Sequence, residues 1–332
     1  FGGKSRSIQQ LKIRAAIPIT RGEMPGHLLM LDVRYTEGAS ESYLLPSAYL
    51  SGEHAGKLLD IPQAVIARHH LPDEQGILYD AVHNPSFRSQ LLQMISRKQK
   101  LRVAGGEVVA TAGKLLKKRT DPIPIDDSQV LRAEQSNTSI LYGDEYFLKI
   151  YRRLDEGISP ELELGQFLAE RTGFTNTPGF AGAVEYRRPG SEPIVLGLLQ
   201  EFVRNQGDAW SYSLDAARSY IERVLAKRQQ EDNPPHSRAS IIENARQTLD
   251  PLMQELVGGV YLERARLLGI RTGELHTALA SGKDDPRFKP EPFTQLYQRS
   301  LYHAMRTLTR RTLDAVRKQR KNLDPQVRDK AD

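Results

Sequence analysis

The order of the elements between residues 134 and 204 constrains the fold of this chain more than any single motif. A β-hairpin with a Gly-Asp turn is followed by a capped helix and two further strands, and then the chain becomes helical. The hairpin carries Lys149 in its second strand, and the helix has Ser159 as its cap and Pro160 in its first turn. The predicted hairpin strands, helix and last two strands cover residues 139–142, 145–151, 160–172, 184–187 and 194–202.

This order of parts is that of the small lobe of a kinase-like ATP site. Phosphoryl transfer needs positioned positive charge and oriented hydrogen-bond donors more than covalent chemistry. A strand lysine can neutralise phosphates, a helix carboxylate can hold that lysine, and the polar turn at 134–139 can present backbone N–H groups. Each part alone has an ordinary explanation, since strand lysines usually face solvent and acids at a helix start complement the helix dipole. The prediction therefore depends on their order.

The whole chain predicts an α+β fold in three parts. Residues 1–98 contain strand-like runs separated by turn residues, then a helix from Pro85, and we expect them to form an antiparallel-sheet N-terminal cap. Residues 99–204 are expected to form the protein-kinase-like, ATP-binding small lobe, and residues 205–332 the helical start of a large lobe. The predicted cap strands are 11–19, 28–35, 42–49 and 64–70, and the predicted large-lobe helices are 212–229, 240–257, 260–280 and 293–322.

Composition excludes several classes of protein. The 332 residues include no cysteine, which rules out a disulfide framework, a cysteine-ligated metal site and a thiol nucleophile. No apolar run approaches the ~18 residues that a membrane-spanning helix needs. The first residues show no apolar signal-peptide core, so we expect a cytoplasmic protein with no membrane partner.

Positive charge is concentrated near the C-terminus. Residues 299–332 hold ten basic and four acidic residues, which accounts for the net charge of +6 of the whole chain. Apolar residues recur there at helical spacing from Leu301 to Val316, and the arginines lie mostly off that stripe. A nucleic-acid contact is the alternative interpretation of such a run. Because charge blocks are usually solvated and the rest of the chain is neutral, we expect no nucleic-acid partner.

Longer blocks of the sequence resemble bacterial maltokinases, which occur alone or fused behind trehalose synthase domains. The resemblance is carried by EQSNTSILYGDEYFLKIYRRLDEGISPELELGQFLAE, LQEFVRNQGDAW, LVGGVYLERARLLGIRTGELHTALAS and PEPFTQLYQRSLYHAMRTLTRR, while FGGKSRSI is similar to the start of the family's N-terminal cap. The resemblance implies a kinase-like fold of the aminoglycoside-phosphotransferase type. It also implies that ATP and Mg²⁺ are used to phosphorylate maltose to maltose 1-phosphate.

Transferred residue by residue, the resemblance places Lys149 on the phosphates with Glu163 as its helix partner. Glu161 is the alternative partner, because both acids lie near the start of the same helix. The other nucleotide-binding residues that the resemblance implies are Ser136, Asn137, Thr138 and Ser139 in a phosphate loop, Glu201 to Val203 in an adenine-binding hinge, and Asp208 near the ribose.

One part of the family's pattern has no counterpart in this sequence. The family has an HGDxH-type loop with the catalytic base, followed by an acidic metal-binding motif, but none of the eight histidines here precedes Gly-Asp. We therefore expect the chain to be the N-terminal portion of a longer kinase and to be inactive alone. Catalytic residues, magnesium ligands and most of the maltose pocket are expected outside it.

A second hypothesis treats the chain as a non-catalytic module. The cap and the basic helix would dock onto a fused or separate trehalose synthase (maltose glucosylmutase), and the ATP site would be vestigial. Binding of ATP distinguishes the two hypotheses, because a ligand that binds only the folded state raises its stability.

Overall fold

The computed structural model describes residues 6–20, 25–51, 61–71, 74–117, 127–131, 136–228, 243, 250–320 and 328. Tertiary contacts divide the chain into two units, Phe1–Leu279 and Ala280–Asp332. None of the helices in the described ranges is both long and apolar enough to cross a bilayer. Half of the predicted helix at 240–257 lies outside the described residues, and the part from Pro251 to Val257 is helical.

The cap sheet is antiparallel and runs in the order β1-β2-β3-β5-β4. Strand β2, and β1 from Arg14 onward, alternate buried with more exposed residues, as a sheet with one covered face requires. The strand β5 was not predicted, whereas the four predicted strands are confirmed with slightly different ends. The strands are β1 (Ile8–Thr20), β2 (Gly26–Tyr35), β3 (Glu41–Ser51), β4 (Val65–Leu71) and β5 (Glu74–Asp80).

The second sheet contains the predicted hairpin. Its strand order is β6-β7-β12-β13-β10-β9-β8, and all its described pairs are antiparallel. A two-residue strand, β11 (Arg153–Leu154), leaves this sheet and pairs with β3 of the cap. The strands are β6 (Lys100–Val103), β7 (Gly106–Ala112), β8 (Ser128–Val130), β9 (Asn137–Tyr142), β10 (Tyr146–Tyr151), β12 (Phe180–Arg187) and β13 (Ile194–Glu201). The antiparallel α+β class expected from the sequence is confirmed.

Capping residues set the starts of the helices around the sheets. Asn84 accepts hydrogen bonds from the N–H groups of Ser86 and Phe87, and Ser159 accepts one from that of Leu162. The helices are α1 (Pro85–Ser96), α2 (Lys114–Lys117), α3 (Pro160–Arg171), α4 (Ala209–Arg228), α5 (Pro251–Val257), α6 (Gly259–Ala280) and α7 (Gln295–Gln319). The α7 helix falls inside the predicted basic helix, and its apolar residues, among them Met305 and Leu308, are exposed.

One hydrophobic core is shared by the cap and the second sheet. Helix α1 connects them, because its side chains Phe87, Leu92 and Ile95 are fully buried. The same cluster takes in Met30 and Leu44 from the cap, and further residues from the second sheet: Val108, Ile140, Leu148 and Ile194. The predicted boundary at residue 98 therefore separates the two sheets but not their core.

Arg152 joins the cap to the second sheet through its backbone and its side chain. Its C=O accepts from the N–H of Leu44 in β3 at 2.8 Å, and its N–H donates to the C=O of Ser136 at 3.0 Å. Its guanidinium donates to Asp80 at the end of β5 at 2.5 Å and to the hydroxyl of Thr138 in β9 at 2.8 Å. Because Arg152 is buried, these contacts hold the strand that carries Lys149 against the cap.

Gly182 allows helix α1 to lie close to β12, and we expect Gly182→Ala to destabilise the protein by about 1–3 kcal/mol. An added Cβ would collide with the Ile95 side chain and with the carbonyl oxygen of Thr111, which is backbone and cannot turn away. Chemical denaturation of both variants is the measurement, with Gly173→Ala as the matched control, because a Cβ at 173 meets nothing within 4 Å. Equal stability of the two variants would contradict the packing described here.

Candidate nucleotide-binding site

The strand β10 presents two different faces. Tyr146, Leu148 and Ile150 are buried in the shared core. Lys149 and Tyr151 lie on the opposite face, since residues two apart along a strand point the same way. Lys149 pairs with Ser139 on β9 and with Leu198 on β13. It therefore lies on a central strand of the sheet, with a neighbouring strand on each side.

Helix α3 packs on this second face of the sheet. Leu162 and Ala169 of the helix pack against a small apolar cluster made by Phe180, Ala183 and Leu198. This packing, with the Ser159 cap, places the first turn of α3 beside the end of β10. The acidic residues of that turn therefore lie next to the Lys149 face.

Lys149 forms an ion pair with Glu161. Its Nζ lies 3.1 Å from Oε1 and 2.9 Å from Oε2 of the carboxylate. The lysine side chain retains 22% exposure and the glutamate 40%. The lysine side chain is therefore held by the helix and still partly exposed to solvent, as a group that contacts a ligand must be.

The structure corrects the choice of lysine partner. The acid in contact with Lys149 is Glu161, the alternative, where Glu163 was expected from the resemblance. Residues two apart on an α-helix are separated by roughly 200° around its axis. The first turn of α3 therefore directs one of these two acids at β10, and Glu163 lies half-buried at a different angle.

Sequence reasoning missed Tyr151 as a residue of this site. Its hydroxyl donates to Glu161 Oε2 at 2.7 Å, and the Lys149 Nζ lies 5.4 Å from the centre of its ring. Burial raises the pKa of Tyr151, and its hydrogen bond to Glu161 raises it further, so the phenol stays protonated and donates. The alternation in Lys149-Ile150-Tyr151 was the signal that could have placed it on the lysine face.

The structure also corrects the predicted phosphate loop. Asn137, Thr138 and Ser139 are strand residues of β9, and only Ser136 precedes the strand. Thr138 and Ser139 are buried, and the Thr138 hydroxyl is already bonded to Arg152. The segment between β8 and β9 comprises residues 131–136, of which 132–135 lie outside the described residues.

The predicted hinge follows directly after β13. Glu201 is the last residue of that strand, and its N–H donates to the C=O of Gly179 at 2.8 Å. The N–H of Phe202 donates to the C=O of Glu145, also at 2.8 Å. Both bonds fix the start of the linker. The next N–H along the chain belongs to Val203, a residue that is 52% exposed.

Asp208 caps helix α4. One of its oxygens accepts from the N–H of Ser211 at 2.8 Å and the other from the Ser211 hydroxyl at 2.9 Å. These hydrogen bonds, the backbone one first, lower the pKa of the Asp208 carboxyl. An ordinary capping role accounts for this residue, and its place near a ribose stays a prediction.

In the ranges that the structure describes, no three histidine, aspartate or glutamate side chains converge to hold a metal ion. No residue of this part of the chain is assigned to the metal.

Comparison with known families matches the N-terminal part of the chain. Residues 1–84 match the family model of the maltokinase N-terminal cap domain. The resemblance expected from the sequence is confirmed over these residues, which form the cap sheet and the residue that caps α1.

Among solved structures, the chain is similar to glucosamine kinase. A glucosamine kinase in complex with glucosamine, ADP and inorganic phosphate shares 16% identity with a TM-score of 0.45, over 84% of this chain and 48% of that one. Crystal form A of a glucosamine kinase shares 16% identity with a TM-score of 0.43, over 82% of this chain and 46% of that one. The chain spans about half the length of these structures.

Proposed function

We propose that this chain forms the nucleotide-binding part of a sugar kinase of the maltokinase type. The observation that carries the proposal is the Lys149–Glu161 pair, which joins a central strand to the first turn of a packed helix. A fixed cation on a sheet face beside a strand-to-linker hinge suits the phosphates and the base of ATP.

The parts of the site have distinct proposed roles. Lys149 stabilises charge on the α- and β-phosphates, and Glu161 holds Lys149 in place. Ser136, directly before β9, belongs to the segment that supplies backbone donors to the phosphates. Adenine binds along the hinge, where the N–H of Val203 follows two donors that are already engaged.

The proposed reaction transfers the γ-phosphoryl group of ATP to the anomeric hydroxyl of maltose. The hydroxyl oxygen attacks the γ-phosphorus, the bond to the β–γ bridging oxygen breaks, and ADP leaves. The proton of the hydroxyl passes to a base, which we place outside this chain together with the magnesium ligands and most of the sugar pocket. Magnesium, when bound, supplies further neutralisation of the phosphate charge.

The match over residues 1–84 supports a kinase of the maltokinase type. The choice of maltose as the sugar, and of α-glucan or trehalose metabolism as the setting, follows from the sequence resemblance to maltokinases. A trehalose synthase domain, fused or separate, is the proposed protein partner because the sequence resembles maltokinases that are fused to one. The product, a sugar 1-phosphate, would serve as a donor for glucan synthesis.

We expect ATP with Mg²⁺ to raise the melting temperature of this chain and the complete kinase to release ADP only when maltose is added. At an ATP concentration of 100 Kd, linkage adds about 2.7 kcal/mol to the stability. Differential scanning calorimetry and a coupled ADP assay, with glucosamine as the comparison sugar, provide the measurements.

The outcomes of this experiment separate the hypotheses. If glucosamine gives more ADP release than maltose, the assignment of maltose as the sugar is wrong, but the proposed sugar kinase activity stands. No melting shift with ATP, together with a stable complex with trehalose synthase, would favour the non-catalytic module.

A further inference from the structure

Two side chains of one strand meet the same carboxylate. Lys149 and Tyr151 lie two residues apart on β10, and both contact Oε2 of Glu161, at 2.9 and 2.7 Å. The lysine contact is ionic and the tyrosine contact is a hydrogen bond from a neutral phenol to a charged acceptor. Glu161 is therefore held from two points on the strand.

The ion pair alone would fix Glu161 poorly. Both of its members remain partly exposed, and exposed ion pairs contribute little because water screens them and their long side chains lose freedom. A lysine that turns toward a phosphate also shares its charge with that phosphate. A second contact is then needed to keep Glu161 beside β10.

Tyr151 is better anchored than Lys149. Its ring packs against the apolar cluster of Phe180, Ala183 and Leu198, which also receives helix α3. A tyrosine has only two side-chain torsions, so a packed ring fixes the position of its hydroxyl.

We propose that Tyr151 is a positioning residue of the nucleotide site. Its hydroxyl holds Glu161 against β10, and Glu161 in turn keeps the ammonium group of Lys149 directed at the α- and β-phosphates of ATP. Tyr151 itself touches no phosphate. This inference rests on the proposed function and adds a residue that the Lys149–Glu161 pair depends on.

The test compares the affinity of the protein for ATP with its affinity for adenosine, by calorimetric titration. Adenosine has the base and the ribose but no phosphate, so the affinity ratio reports the contact made by Lys149. Tyr151→Phe keeps the ring and removes only the hydroxyl. We expect this variant to lower the ATP-to-adenosine ratio about tenfold, with adenosine affinity unchanged.

Tyr43→Phe is the matched control. The Tyr43 hydroxyl also donates to a carboxylate, that of Glu41, but in the cap sheet. We expect this variant to leave the ratio unchanged. Because Tyr151 acts through the lysine, Tyr151→Phe should also add no further loss in a Lys149→Met background, as a double-mutant cycle measures.

Each outcome is decisive. A ratio that depends on Lys149 but not on Tyr151 would overturn this inference and leave the proposed function intact. Equal weakening of ATP and adenosine binding by Tyr151→Phe would show a merely structural role and would also overturn it. If Lys149→Met has the same ATP-to-adenosine ratio as the unmodified protein, the proposed function is overturned, and this inference with it.

Discussion

Replacing Lys149 with alanine is expected to lower kcat of the complete kinase about 10²–10³-fold, with a smaller change in KM for maltose. A single fixed donor that stabilises charge in a transition state has effects of this size. The side chain is placed for such a role, because Glu161 holds its ammonium group at 2.9 Å on a partly open sheet face. Steady-state kinetics with maltose as the varied substrate at saturating ATP measures both constants.

Lys227→Ala is the matched control for this experiment. Lys227 also pairs with a glutamate, Glu255, at 3.0 Å, but the pair joins helices α4 and α5 rather than strand and helix of the site. It should leave kcat within about twofold, because exposed ion pairs stabilise little. If both variants lost the same activity, loss of a lysine charge in general would explain the result. The proposed role of Lys149 in the nucleotide site would then be contradicted.

Replacing Arg152 with alanine is expected to destabilise the protein by about 3–5 kcal/mol. Removing one member of a buried ion pair leaves the other charge without compensation. The side chains of Arg152 and Asp80 are only 10% and 20% exposed, and the Thr138 hydroxyl loses a donor as well. Urea unfolding followed by far-ultraviolet circular dichroism measures the free energy of unfolding.

Arg204→Ala provides the comparison for Arg152. Arg204 pairs with Asp144 at 3.0 Å, but its side chain is 76% exposed, so we expect a loss of no more than about 1 kcal/mol. A loss from Arg152→Ala as small as that from Arg204→Ala would mean that the cap is held to the second sheet by the apolar core alone.

Local sequence signals predicted the parts of the fold that depend on neighbouring residues. Pro85 and the cap Ser159 mark the starts of α1 and α3, and the Gly-Asp pair marks the turn between β9 and β10. Lys149 was placed in the correct strand for the same reason. Capping and turn formation involve contacts only a few residues apart, so they are visible in a short stretch of sequence.

Tertiary packing decided the features that the sequence left open or misplaced. The choice between Glu161 and Glu163 depends on the angle at which α3 lies on the sheet, which no residue of the helix specifies alone. Asn137, Thr138 and Ser139 were predicted as a polar loop because the groups that satisfy them lie on other segments of the chain. All three pair with β10, and the Thr138 hydroxyl accepts from Arg152. Polar residues can be strand residues when tertiary contacts satisfy them.

The role of Arg152 could not be predicted from the residues next to it in the sequence either. The sequence Tyr151-Arg152-Arg153 offers two adjacent arginines, and alternation along a strand predicts only that they face opposite sides. Which of the two is buried depends on β11, because its pairing with β3 turns Arg152 toward Asp80.

Affinity labelling with an acyl phosphate of ATP tests most directly whether the Lys149 face binds nucleotide. An amine beside the bound phosphates attacks the carbonyl carbon of the reagent, forms an amide, and releases ATP. Peptide mapping by mass spectrometry should find the acyl group on Lys149, and excess ATP should suppress this labelling. Any labelling of the control residue Lys227 should not change with excess ATP. Acylation of other lysines with Lys149 unmodified, or labelling of Lys149 that excess ATP does not reduce, would contradict the assignment of this face to the nucleotide.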